Sequence, residues 1–214
     1  VREGGFYGNL FGYHDVTDPS DDAMEPPLCW ITNVFDRSPA ELLWVDAPSW
    51  GPLNGSLLNL SYGNGKVFIV PFERIGERVQ GGMCELPMTM FPTGVMRGRF
   101  HADGSLYLCG MFAWAGNQTQ AGGLYRIAPT GRPATVPLEL HAAPDRITIT
   151  LSDPVEPISA VDVRRYEVRV WGLRRSADYG SPHLDEHSLE VTEVQVTDEG
   201  RTIALTIPEL APTW

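Results

Sequence analysis

The segment His183-Leu184-Asp185-Glu186-His187 sets two imidazoles four positions apart. On a helix both would leave one face and could hold zinc. Gly180, Ser181 and Pro182 stand just before them, so the segment is expected to be a surface loop between strands. Asp15, Asp18, Asp21, Asp22 and Glu25 crowd carboxylates into another loop. Clustered oxygens of this kind suit calcium, although the spacing matches no EF-hand and a solvated acidic loop is the competing reading. Trp30, Trp44, Trp50, Trp114 and Trp171 could stack on the rings of a carbohydrate ligand, but tryptophan more often fills a core. Trp50 and Trp114 neighbour Gly and Pro in expected loops, which makes them the better ligand candidates. His14 and His101 could act as bases, yet no partner carboxylate is identified for either. No catalytic residue and no metal-ligand set is assigned.

Short strands must position these groups. Leu42–Val45, Ser56–Ser61, Lys66–Val70, Ser105–Leu108 and Gly123–Ile127 are apolar runs bounded by Gly, Pro, Asn or Asp, the pattern of strands between turns. No segment keeps a helical apolar period. Asn54-Gly55-Ser56-Leu57-Leu58 returns as Asp103-Gly104-Ser105-Leu106-Tyr107, 49 positions on. A repeat of that length built from short strands suggests propeller blades, one spanning roughly residues 42 to 90 and a partial one roughly 94 to 130. Two hairpins with a shared turn sequence are the alternative.

Beyond Thr130-Gly131-Arg132-Pro133 the pattern changes. Val136–His141, Arg146–Leu151, Tyr166–Trp171, Leu189–Val196 and Thr202–Ile207 alternate apolar and polar residues, as half-buried antiparallel strands do. Asp198-Glu199-Gly200-Arg201 reads as the hairpin turn joining the last two. The fold class expected is therefore all-β, with terminal β-propeller blades over residues 1-133 followed by an antiparallel, immunoglobulin-like β-sandwich over 134-214.

Composition agrees. The 22 Gly and 18 Pro suit turn-rich β structure and argue against a helical bundle. The formal net charge of −11 makes a nucleic-acid partner a poor fit, and no run of about 18 apolar residues is present to span a membrane. From position 138 onward the chain carries 14 acidic against 7 basic residues, a well-solvated module. Cys29, Cys84 and Cys109 form no metal or redox motif, and their disulfide state is left open. Asn54, Asn59 and Asn117 each open a glycosylation sequon, read as chance matches. The chain opens Val1-Arg2-Glu3 with no signal-peptide pattern and closes on Pro212-Thr213-Trp214, so a segment of a longer protein is expected.

Gly4-Gly5-Phe6-Tyr7-Gly8 resembles a Gly-Gly-Asn-Tyr-Gly turn of the bacterial soluble sugar-dehydrogenase β-propellers, the glucose/sorbosone dehydrogenase group that uses pyrroloquinoline quinone (PQQ). Pro27–Trp30, Trp50–Leu58, Leu60–Gly63, Gln80–Gly82, Met96–Phe100 and Asp103–Tyr107 are similar to segments of the large dehydrogenase-like propeller proteins of planctomycetes. Tyr179–His183 and Asp198–Thr202 match loops of the sandwich that follows the propeller there. The resemblance implies a quinone-dependent sugar or alcohol dehydrogenase as the parent, in the periplasm or cell envelope. It gives Arg97 and Arg99 a role in holding the carboxylates of PQQ, which bidentate guanidinium pairing would support. Alternatively the two arginines share one strand face and pair with carboxylates of adjacent blades. Calcium is a second cofactor to consider. The expected partners are the remaining blades of the parent or another protein chain, because an open blade pair leaves apolar faces and strand edges uncovered. Alone, the chain is expected to be inactive, and a non-enzymatic glycan- or protein-binding scaffold is the rival reading.

Overall fold

Alternating residues along each chain segment send one row of side chains inward, and the apolar rows decide which sheets stack. A computed structural model describes residues 3–7, 25–112, 118–173 and 181–211 of the protein. Strands hold 43% of these residues and helices 9%, so the chain is all-β. Among the described residues no helix is long and apolar enough to cross a membrane.

The first sheet is an antiparallel meander. Its strands β1 (Pro39–Trp44), β2 (Leu57–Ser61) and β3 (Val67–Ile69) run in chain order. A hairpin of β4 (Phe72–Ile75) and β5 (Arg78–Gly81) then leaves the sheet before β6 (Cys84–Glu85) returns to pair with β3. The second sheet is a three-stranded meander of β7 (Gly94–Phe100), β8 (Leu106–Met111) and β9 (Gly122–Ile127). The repeated turn noted in the sequence is also a structural repeat. Gly55 before β2 and Gly104 before β8 both adopt left-handed backbone, at φ 86° and 82°, where a Cβ would be strained.

The two meanders stack through their apolar rows. Leu58, Leu60, Val67 and Ile69 of the first meet Val95, Leu106 and Leu108 of the second in one buried cluster. Each fully buried Leu or Ile contributes about 1.5–3 kcal/mol relative to an exposed one. Among the described residues the two sheets form no closed ring of blades.

The remaining strands build a second cluster. β10 (Pro137–Ala143), β11 (Arg146–Leu151), β14 (Glu193–Thr197) and β15 (Thr202–Thr206) form a sheet in the order β10-β11-β15-β14. The hairpin of β12 (Val168–Gly172) and β13 (Leu184–Leu189) adds Val168, Val170 and Leu189 to the apolar side chains of that sheet. A single helical turn, α1 (Pro157–Ala160), is capped by Glu156, whose carboxylate accepts the N–H groups of Ile158 and Ser159.

Val136 ties the two clusters together, because it is buried in the first while its chain continues into the second. A polar contact reinforces the junction. Glu73 on β4 accepts from the Nδ1 of His141 on β10 at 2.8 Å and from the backbone N–H of Ala142 at 3.3 Å. Gln80 on β5 donates to the carbonyl of Ala142 at 2.9 Å.

Three expectations change here. Leu189–Val196 is not one strand: β13 ends at Leu189, buried Val191 marks the crossing, and β14 starts at Glu193 in the other sheet. His187 lies within β13 rather than in a loop, and His183 stands immediately before it. Trp50 is buried in the first cluster and is not exposed in a loop.

Candidate functional site

β7, β8 and β9 alternate, so one row of each strand enters the core and the other is exposed. Gly98 is buried and Phe100 partly buried, and Leu106 and Leu108 are fully buried. The opposite row carries Arg97 and Arg99 on β7, Tyr107, Cys109 and Met111 on β8, and Leu124 and Arg126 on β9. Register makes them neighbours. Arg97 pairs with Cys109 and Arg99 with Tyr107, while Cys109 pairs with Leu124 and Tyr107 with Arg126. The face is open to solvent, with Leu124 74% exposed and the Arg99 side chain 77% exposed. Apolar and aromatic groups thus run along the middle, and guanidinium groups stand on both flanks.

The two arginines expected from the sequence share this face. Arg99 donates to Oε1 of Glu41 on β1 at 2.7 Å, while Oε2 of the same carboxylate accepts the N–H of Gly98 at 2.6 Å. Glu41 therefore clasps the edge strand of the second sheet to the first. Burial pushes its carboxyl up, but the hydrogen bonds from Arg99 and Gly98 and the charges of Arg99 and Arg97 outweigh this and hold it below the usual range. Arg97 donates to the carbonyls of Met96 at 2.9 Å and Ala40 at 3.3 Å.

Two participants were not evident in the sequence. Arg126 reaches the face only through the β8–β9 register, and its guanidinium lies 3.8 Å from Asp103. The alternation of Leu124 and Arg126 within an apolar strand was the signal that could have found it. Asp103 is also the carboxylate partner of His101, with Nδ1 at 3.2 Å from Oδ1, and the His101 ring stands edge-on to Tyr107 at 6.0 Å. The backbone N–H of Ser105 in the turn, together with His101, lowers the Asp103 carboxyl.

Other candidates lie elsewhere. Trp50 sits in the 3₁₀ segment Pro48–Leu53 and is 8% exposed, so it is not an open platform for a sugar. Its indole Nε1 donates to the carbonyl of Gly104 at 2.8 Å, and its ring meets Phe100 edge-on at 5.4 Å. Trp44 is 55% exposed and leans on Phe72 at 6.1 Å. His183 stacks on Trp171 at 4.2 Å and engages Glu186 at 2.7 Å, whereas His187 turns its Nδ1 to the carbonyl of Asp185. The two imidazoles thus take separate partners. Asn59, the middle sequon residue, is buried. Trp114, His14, Asn117 and the acidic positions Asp15, Asp18, Asp21 and Asp22 lie outside the described residues, while Glu25 donates its backbone N–H to the carbonyl of Phe6. Among the described residues no cluster of His, Cys, Asp and Glu is suited to a metal ion.

Chemically, the open face can recognise anions. Planar guanidinium groups bind carboxylates through paired hydrogen bonds, and a row of them over exposed Leu, Tyr and Met surface adds area to charge. No family model, curated protein or solved structure matches the chain.

Proposed function

We propose that the chain is a non-enzymatic binding scaffold whose second sheet recognises carboxylate-bearing partners. One observation carries this reading: Arg97, Arg99 and Arg126 stand on a single exposed sheet face in a chain of net charge −11. Three of the 16 basic residues share this face; Arg99 is paired with Glu41 and Arg126 lies 3.8 Å from Asp103, so Arg97, held by backbone carbonyls, is the guanidinium most open to an anionic ligand. Glu41 fixes the strand that carries two of the arginines by accepting from Arg99 and from the Gly98 N–H. The test is binding of a labelled oligoglutamate, followed by fluorescence anisotropy at low and high salt. Binding that weakens with salt and is lost in the Arg97→Gln/Arg126→Gln double variant supports the reading. Binding indifferent to both substitutions refutes it.

A second reading rests on the two-residue spacing of Arg97 and Arg99 along one strand. In it the meanders are blades of a quinone-dependent sugar or alcohol dehydrogenase in the periplasm or cell envelope. Arg97, and the donors of Arg99 not engaged by Glu41, would hold carboxylates of PQQ, and the quinone would supply the redox chemistry. The exposed guanidinium groups fit a carboxylated ligand. Absorbance titration of PQQ with the wild type and with Arg97→Ala separates the readings. Tight quinone binding lost in the variant favours the dehydrogenase, and oligoglutamate binding without quinone binding favours the scaffold.

A further inference from the structure

The repeated turn allows the two meanders to be laid over one another residue by residue. With Asn54-Gly55-Ser56-Leu57 set on Asp103-Gly104-Ser105-Leu106, Leu58 corresponds to Tyr107 and Leu60 to Cys109. The strand registers extend the match. Leu43 faces Leu58 as Arg99 faces Tyr107, and Glu41 faces Leu60 as Arg97 faces Cys109. In the first sheet this row, Glu41, Leu43, Leu58 and Leu60, is the one on which the second sheet stacks. In the second sheet the corresponding row, Arg97, Arg99, Tyr107 and Cys109, is uncovered.

We infer that this open row is a docking surface for another β-sheet, contributed by a partner with an apolar central row flanked by carboxylates. The inference rests on the scaffold reading above and names the partner's architecture. Two observations fix the chemistry. First, the position that carries Glu41 in the covered interface carries Arg97 in the open one, so the sign of charge is reversed. A partner must then bring a carboxylate to Arg97, which is held by backbone carbonyls, whereas Arg99 already meets Glu41 and Arg126 lies 3.8 Å from Asp103 within the chain. Second, the middle strand of the face carries Tyr107, Cys109 and Met111, and Leu124 extends this surface onto β9 beside Arg126, with Leu124, Met111 and Tyr107 all exposed. Apolar and aromatic groups at the centre with arginine at the rim match the composition of protein interfaces. The same face of a second copy would set arginines against arginines, so self-pairing through it is electrostatically opposed.

Three labelled peptides test this on the whole chain: an alternating leucine–glutamate peptide, which forms an amphipathic strand, its leucine–lysine counterpart, and oligoglutamate. The leucine–glutamate peptide is expected to bind at least about tenfold more tightly than oligoglutamate, which lacks the apolar row. The leucine–lysine peptide is expected not to bind. Arg97→Glu with Arg126→Glu, and separately Leu124→Ser, should each weaken binding by roughly tenfold at low salt. All three side chains are exposed, and circular dichroism confirms the fold of each variant. Should the arginine variant not fold, Leu124→Ser decides alone.

Equal binding of oligoglutamate and the leucine–glutamate peptide would leave carboxylate recognition standing and overturn sheet docking. Failure of both anionic peptides to bind would overturn both. Binding that ignores the substitutions, or self-association in sedimentation that disappears in Leu124→Ser, would also overturn the inference.

Discussion

Replacing Trp50 separates a core role from a ligand platform, because the two make opposite demands on stability. Its indole is 8% exposed, its Nε1 donates to the Gly104 carbonyl at 2.8 Å, and its ring packs edge-on against Phe100 at 5.4 Å. A buried tryptophan removes on the order of 200 Å² from water, which at about 25 cal/mol/Å² is roughly 5 kcal/mol. Measured truncations of this kind cost about 3–5 kcal/mol. Trp50→Phe keeps most of the apolar surface but leaves the Gly104 carbonyl without its donor, a loss of about 1–2 kcal/mol. With a urea slope on the order of 2 kcal/mol/M, the midpoint falls by about 2 M for Trp50→Ala and by less than 1 M for Trp50→Phe. Urea unfolding followed by circular dichroism reads both. An unchanged midpoint in Trp50→Ala, with loss of carbohydrate binding, would refute the core assignment.

Glycine at 110 answers to contact rather than to backbone angle. A Cβ there would lie 1.8 Å from the Gly94 carbonyl oxygen, so Gly110→Ala should destabilise by more than about 3 kcal/mol. Gly131→Ala, at φ 72° with open space around it, should lose only about 1–2 kcal/mol in the same thermal melts. Glu41→Ala strands the buried Gly98 N–H and should cost about 1–3 kcal/mol, while Arg99→Ala, which removes an exposed partner, should shift the melt far less. The junction carboxylate sets a pH dependence. Burial pushes Glu73 up, but hydrogen bonds from His141, Gln80 and the Ala142 N–H outweigh it and hold the folded carboxyl below its ordinary value. Its contribution is therefore complete above about pH 4.3, the unfolded value, and is lost as pH falls through the lower folded value. Stability measured against pH should lose part of its acid limb in Glu73→Gln.

The strands that the sequence reveals are those with one row buried. Arg146–Leu151 and Thr202–Ile207 alternate because β11 and β15 turn Ile147, Ile149, Ile203 and Leu205 to one apolar cluster. Phe72-Glu73-Arg74-Ile75 carries no such signal, since β4 stands outside the main sheets and buries little, and β6 is only two residues long. Leu189–Val196 reads as one strand because alternation continues through Val191 while the chain changes sheets. Gly and Pro beside Trp50 mark an irregular segment correctly, but irregular backbone can still lower an indole into a core. At the candidate site, Arg97 and Arg99 are visible through their spacing of two. Arg126 is not, because only the pairing of Tyr107 with Arg126 brings it to the same face. Leu58 and Leu60 facing the second sheet could not be told from Tyr107 and Cys109 facing solvent until both registers were known.

Backbone and arginine side-chain chemical shifts, recorded as oligoglutamate is titrated into the chain at low salt, address the proposed binding face most directly. Perturbations confined to Arg97, Arg99, Tyr107, Cys109, Leu124 and Arg126, and reversed by added salt, are the predicted result. Perturbations centred instead on Trp44 and Phe72, or on Trp171 and His183, would contradict the account.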